Sequence, residues 1–248
     1  MERVKAVILA AGKGTRMKSD LPKVIHTVLG KPMVLYSIEA AKEAGAALSD
    51  ICLVIGHGAE QVKEVAGTDV NYVLQEEQLG TGHAVRCASE FIGTDGITMV
   101  LCGDTPLITG RTLKELVDTH LQEKNAITVL TAIVDDPTGY GRIIKDRWGK
   151  FDKIVEQKDA SPGEQRVDEI NAGMYVFNSE VLTRALSMLK NQNSQGEYYL
   201  TDTIEIVKAY GMGQVSTMIV KDVDETRGVN SQEQLKEAEE ILKNRQQA

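Results

Sequence analysis

The sequence predicts an α/β protein: a mixed, mainly parallel sheet wrapped by helices, with a small β-rich lobe. Three features predict it. Short, near-continuous apolar runs such as Val4–Ala10 suit strands covered on both faces. Those runs alternate with segments of helical periodicity through the first half of the chain, the rhythm of a parallel sheet with helical crossovers. After residue 123 strand-like segments outnumber helical ones, so the simple alternation ends there.

Gly12 and Gly14 interrupt the first apolar run, so the first strand feeds a glycine loop. Residues 33–44 repeat apolar side chains at Leu35, Ile38, Ala41 and Ala44, and Gly45 closes that helix. A strand at 51–55, a helix at 59–66, a strand at 70–74, a helix at 82–91, a strand at 97–102 and a helix at 111–123 follow. Segments 126–134, 142–145, 151–156 and 174–177 are all strand-like, which predicts an extension of the sheet into a second lobe or lid rather than an independent domain. Helices return at 180–189 and 200–210, with a strand at 214–221 and a last helix at 231–245. Ser231 and Gln234 match a capping box, and Leu235, Ala238, Ile241 and Leu242 share one face. Residues 161–164, Ser-Pro-Gly-Glu, are the expected mobile loop.

At 248 residues, with 42% hydrophobic and 26% charged side chains, the chain can bury a full core without a staple. The formal charge of -8 opposes tight binding to nucleic acid, whose affinity rests on Lys and Arg neutralising phosphates. A small anion can still be held where a few cations and N–H groups converge. Cys52, Cys87 and Cys102 lack metal-ligand or disulfide spacing and read as reduced core residues. No signal peptide or membrane-length apolar run is visible, so a cytoplasmic protein with no membrane partner is expected.

The chemistry is concentrated in Leu9-Ala10-Ala11-Gly12-Lys13-Gly14-Thr15-Arg16-Met17. Two glycines let the backbone approach a ligand and aim N–H groups at phosphate oxygens. The run is not a dinucleotide fingerprint, because Met17 stands where a third glycine belongs, nor a Walker loop, because Lys13 precedes Gly14. Lys13, Arg16 and Lys23 add the cations that a triphosphate and a departing pyrophosphate require.

This loop and the following Leu21-Pro22-Lys23 resemble the signature of the sugar-nucleotide pyrophosphorylases. The runs 75–84, 103–107, 137–143, 155–159, 169–171 and 196–202 extend the likeness in order along the chain. Together they resemble the N-terminal uridyltransferase domain of the bifunctional N-acetylglucosamine-1-phosphate uridyltransferase/glucosamine-1-phosphate acetyltransferase family. The resemblance implies a Rossmann-like fold of the nucleotide-diphospho-sugar transferase type, with a nucleotide-binding half at 1–125, a sugar-binding half at 126–230 and a C-terminal helix at 231–248. It implies Mg²⁺ as cofactor, and UTP and N-acetylglucosamine 1-phosphate as substrates.

By the same resemblance Leu9, Ala10, Ala11, Gly12 and Gly14, with Gln75, Gly80 and Thr81, hold the uridine nucleotide, while Arg16 and Lys23 act on the triphosphate. Asp104 and Asn230 match the metal ligands, a carboxylate and an amide oxygen suited to Mg²⁺. Gly141, Glu156, Asn171, Tyr199 and Thr201 fall to the sugar. The four histidines need no catalytic role, and His57 and His83 read as structural. The family continues into a left-handed β-helix of hexapeptide repeats, absent from this sequence, so acetyl transfer is not expected and the oligomeric state is left open. Competing readings are a pyrophosphorylase for another sugar, such as glucose 1-phosphate, and a non-catalytic nucleotide-sensing module.

Overall fold

The computed structural model describes residues 2–247, so residues 1 and 248, the outer limits of the expected 1–125 and 231–248 segments, lie outside the described residues. The first half runs β1 (Val4–Ala10), a small hairpin of β2 (Thr27–Val28) and β3 (Lys31–Pro32), α1 (Met33–Glu43), β4 (Ile51–Ile55) and α2 (Ala59–Ala66). It continues through β5 (Asn71–Leu74), α3 (Thr81–Cys87), α4 (Ser89–Ile92), β6 (Ile97–Cys102) and α5 (Gly110–Glu123). The second half contains β7 (Ile127–Ile133), β8 (Arg142–Lys145), β9 (Phe151–Val155), β10 (Glu169–Asn178), α6 (Ser179–Met188), α7 (Asp202–Ala209), β11 (Val215–Ile219) and α8 (Gln232–Gln247).

The main path of the sheet is ordered β11-β7-β10-β6-β1-β4-β5, and β8 branches from β10 to pair with β9. Every strand on the main path except β10 runs the same way, which gives the mixed, mainly parallel sheet expected. The apolar run of β1 has a simple cause. Ala6, Ile8 and Ala10 face one core with α1, α2 and α5. Val7 faces the other, with Val85, Leu182 and Ile204 of α3, α6 and α7. A strand sandwiched between two helical layers has no solvent face to make polar. Among the described residues no helix is long and apolar enough to cross a membrane.

Several local expectations change. The helix expected at 82–91 is two pieces, α3 and α4, broken at Ala88. The short strand expected at 174–177 is the end of the longer β10, whose register slips between Asn171 and Tyr175 around Gly173 at φ 73°. A glycine in this left-handed conformation marks a bulge, and bulges re-aim the side chains beside them. The capping box at α8 is offset: Ser231 Oγ accepts from the Gln234 N–H, but Gln234 Oε1 accepts from Asn230 N–H rather than from Ser231. That offset pins the backbone of a candidate metal ligand. Within residues 161–164, Glu164 Oε2 accepts from the Ser161 N–H and hydroxyl at 2.9 and 2.6 Å.

Candidate active site

The loops after β1, β4, β5 and β6 gather at the carboxyl edge of the parallel strands, where open α/β sheets bind ligands. Those after β1, β5 and β6 enclose a cavity of about 330 Å³ lined by Leu9, Gly12, Lys23, Gln75, Thr81 and Asp104, among others. A Cβ built on Gly12 would meet nothing within 4 Å, so the backbone of the first loop is open to a ligand there. Gly14 serves differently. It sits at φ 59°, and a Cβ on it would lie 2.6 Å from Lys23 Cβ. Glycine is thus what allows Lys23 to pack against the loop.

Lys23 is the charged centre of the cavity. Its ammonium donates to Asp104 Oδ2 and, at 2.8 Å, to Asn230 Oδ1. The Val229 N–H donates to the Asp104 carbonyl at 2.8 Å, which ties the segment carrying Asn230 to the loop after β6. A carboxylate and an amide oxygen therefore converge on one cationic point, and hard-oxygen donors of this kind fit Mg²⁺. Among the described residues no three His, Cys, Asp or Glu side chains cluster as metal ligands, so these two oxygens would leave further positions to phosphate and water. Lys13 and Arg16 do not join this point: both are exposed, Arg16 on the short helical turn Thr15–Met17.

Gln75 is nearly buried, at 4% exposure. Its Nε2 donates to the Gly80 carbonyl at 3.3 Å and lies 3.1 Å from His83 Nδ1, which leaves Oε1 as the group available to a ligand. His83 is structural in that sense, since it helps orient Gln75. Gly80 has φ 105°, and a Cβ there would lie 2.6 Å from the Tyr198 carbonyl. The segment before α7 fills that space: Tyr198 N–H donates to Leu79 O and Leu200 N–H donates to Thr81 Oγ1. The two halves of the site are hydrogen-bonded to each other here.

On the second half, a Cβ on Gly141 would lie 3.4 Å from Glu156 Oε2 and 3.6 Å from Asn171 Cβ, so these three residues meet. Thr201 Oγ1 donates to Glu156 Oε1 at 3.0 Å. The β10 bulge orients Asn171, whose Oδ1 accepts from Gly173 N–H and whose Nδ2 donates to the Tyr175 hydroxyl. Tyr199 joins them less directly, because its hydroxyl faces Asp159 and Gln195. A second cavity of about 540 Å³ lies here, lined by Glu156, Asp159, Tyr199, Thr201, Asp202 and Glu205, among others.

Burial raises the Glu156 carboxyl, opposed by the Thr201 hydrogen bond and reinforced by Asp159 and Glu197. Asp202 is pushed up to about 6, first by burial and then by Glu205, Glu156 and Asp159. The fold therefore favours neutral Asp202. That contribution is present below the ordinary aspartate range and is lost as the pH rises through about 6. Asp202→Asn should stabilise the protein at pH 7.5 by roughly 1 kcal/mol after allowance for solvent screening, and the gain should vanish at about pH 3, below the ordinary aspartate range. Thermal melts at both pH values check this, and an equal effect at both would contradict it.

Sequence reasoning missed Val24, Gln78, Cys102 and Glu197, which also line the first cavity. Burial pushes the Cys102 thiol up to about 12, so it is a packing residue rather than a nucleophile. Reasoning from sequence also missed Gly56 and Gly58. A Cβ on Gly56 would lie 2.9 Å from Ala11 O, and one on Gly58, at φ 66°, would lie 2.2 Å from Pro22 Cγ. The signal was present, since Gly56-His57-Gly58 follows β4 just as Gly12-Lys13-Gly14 follows β1.

The model of the nucleotidyl transferase family matches residues 5–222. The chain is 53% identical over 245 residues to the bifunctional protein GlmU of Caldanaerobacter subterraneus subsp. tengcongensis, covering 99% of this chain and 53% of that protein. It is 54% identical over 242 residues to the bifunctional protein GlmU of Clostridium botulinum, covering 97% and 52%. The chain thus spans about half the length of the curated relatives it matches. A UDP-glucose pyrophosphorylase solved with UDP-glucose shares the fold, with a TM-score of 0.76 at 19% identity over 99% of this chain and 100% of that one. A putative glucose-1-phosphate thymidylyltransferase from Bacillus anthracis gives 0.73 at 21% identity, over 96% and 94%. With the match extending from β1 to the residues after β11, and the glycine loop at its start, the chain belongs to the nucleotidyl transferase family.

Proposed function

We propose that the chain is a UDP-N-acetylglucosamine diphosphorylase, an N-acetylglucosamine-1-phosphate uridyltransferase. It joins UTP and N-acetylglucosamine 1-phosphate to give UDP-N-acetylglucosamine and pyrophosphate. The observation that carries this is the convergence of Lys23, Asp104 and Asn230 at a cavity lined by the first loop, Gln75 and Thr81. Residues 1–125 are assigned to the nucleotide, 126–230 to the sugar, and the last segment, 231–248, carries α8 (Gln232–Gln247), whose Gln234 accepts from the Asn230 N–H.

A phosphate oxygen of the sugar attacks the α-phosphorus of UTP in line. The new O–P bond forms as the bond from the α-phosphorus to the bridging oxygen breaks, and pyrophosphate leaves with that electron pair. The attacking phosphate is already anionic, so no general base and no covalent enzyme intermediate is needed. The protein supplies position and charge. N–H groups of Leu9 to Gly12 and Gly14 hold phosphate oxygens, while Lys23 and Arg16 neutralise the triphosphate. Gln75 Oε1, with Gly80 and Thr81, addresses the uridine. Gly141, Glu156, Asn171, Tyr199 and Thr201 hold the sugar, whose hydroxyls and amide leave those groups unpaired when replaced. Mg²⁺ held by Asp104 and Asn230 would neutralise charge on the phosphate oxygens.

The test is pyrophosphate release with Mg²⁺ across UTP, CTP, dTTP and ATP against N-acetylglucosamine, glucosamine and glucose 1-phosphates. Release confined to UTP with N-acetylglucosamine 1-phosphate is the expected result. Release with glucose 1-phosphate alone would move the substrate, and silence with nucleotide binding intact would favour a sensing module. Gly58→Ala places a Cβ against Pro22 in a left-handed conformation, which displaces the neighbouring Lys23. It should destabilise the fold by about 1–3 kcal/mol and slow turnover about tenfold. Chemical denaturation and initial rates measure both, and wild-type rates would show that Pro22 does not set the position of Lys23.

A further inference from the structure

The sugar-facing residues lie on three different strands or strand ends, and one buried side chain touches the segments beside them. Arg142 sits where β8, β9 and β10 meet: it is in register with Val155 on one side and Ile170 on the other. Its chain neighbour is Gly141, and the next residues after its register partners are Glu156 and Asn171. The Asn171 N–H donates to the Gly141 carbonyl at 2.9 Å. Arg142 is therefore the register centre of the group assigned to the sugar.

Its side chain is 1% exposed. One Nη donates to the Tyr140 carbonyl. The other donates to Gln157 Oε1 at 2.7 Å and, more loosely, to the Gln165 carbonyl at 3.5 Å. Gln157 Oε1 also accepts from the Gly139 N–H at 3.0 Å, so the same fork reaches the loop at 137–141 twice. Arg142 Nε is buried and has no partner among the described residues. All of these acceptors are neutral. Asp136 acts on it through space without a hydrogen bond, and a buried guanidinium hydrogen-bonded only to neutral oxygens is a poor source of stability, since apolar residues of similar volume often serve as well. What arginine alone offers is a rigid planar fork of donors that fixes several carbonyls at once.

We infer that Arg142 is a positioning residue for the sugar subsite, holding the loop at 137–141 and the end of β9 so that Gly141, Glu156 and Asn171 keep their spacing. This rests on the assignment of those three residues to the sugar. The test compares Arg142→Met, Arg142→Lys and Asn171→Ala for the KM of N-acetylglucosamine 1-phosphate, the Kd of UTP and amide hydrogen exchange. Both Arg142 variants should raise the sugar-phosphate KM about tenfold or more, leave UTP binding within about twofold, and speed exchange at 137–141. Lysine should not rescue, because it keeps the charge and loses the fork. If neither variant folds, Gln157→Ala, which removes the acceptor shared by Arg142 and Gly139, should raise the same KM. An unchanged sugar-phosphate KM in these variants, with Asn171→Ala raising it, overturns the role of Arg142. An unchanged KM in Asn171→Ala as well overturns the sugar assignment, and the inference with it.

Discussion

Lys23→Ala is expected to slow turnover by about 10²-fold or more, because one cation aimed at charge developing in the transition state contributes roughly 3 kcal/mol. The structure makes Lys23 more than a loop cation. Its ammonium holds the oxygens of Asp104 and Asn230, the same two atoms that fit a divalent ion. A metal bound there would therefore compete with the lysine for them. The same substitution should tighten Mn²⁺ binding to nucleotide-free protein, measured by electron paramagnetic resonance, while lowering the rate. Weaker Mn²⁺ binding in the variant would show that Lys23 organises the metal ligands rather than competing for them. Wild-type turnover would remove Lys23 from the chemistry altogether.

Asp104→Ala should have the larger effect, a loss of about 10³-fold, since it removes the carboxylate of the candidate metal pair and also frees Lys23 from its ion pair. The two losses share partners, so they should not add. In a double-mutant cycle the combined Lys23→Ala, Asp104→Ala enzyme should be little worse than Asp104→Ala alone. Full additivity would mean that the two residues act on separate parts of the reaction. Mg²⁺ titration of Asp104→Ala should show a higher concentration for half-maximal rate, and an unchanged titration would place the metal elsewhere.

The fold was legible where one rule dominated. β1, β4 and β6 are buried on both faces, so their apolar runs could hardly be anything but strands, and their expected bounds match the structure. β10 was legible only in its last part, because Gly173 and the bulge interrupt its pattern just where Asn171 is placed. The hairpin of β2 and β3 was invisible, being only two residues a strand.

The site divides in a similar way. The glycine loop and Lys23 announced themselves by residue type and spacing. Asp104 and Asn230 were paired only by the resemblance, since nothing in their spacing relates them. The fold adds that both of their oxygens accept from the Lys23 ammonium, a contact the sequence did not suggest. Gly58 and Arg142 escaped notice for the opposite reason. They touch no expected ligand, and their importance lies in a contact with Pro22 and in a fork of hydrogen bonds that only three dimensions reveal.

In a single in-line displacement pyrophosphate leaves only when the sugar phosphate attacks. Exchange of labelled pyrophosphate into UTP, with Mg²⁺ and with or without N-acetylglucosamine 1-phosphate, reads this out. Label should enter UTP only when the sugar phosphate is present. Exchange in its absence would mean a uridylyl-enzyme intermediate and contradict the account.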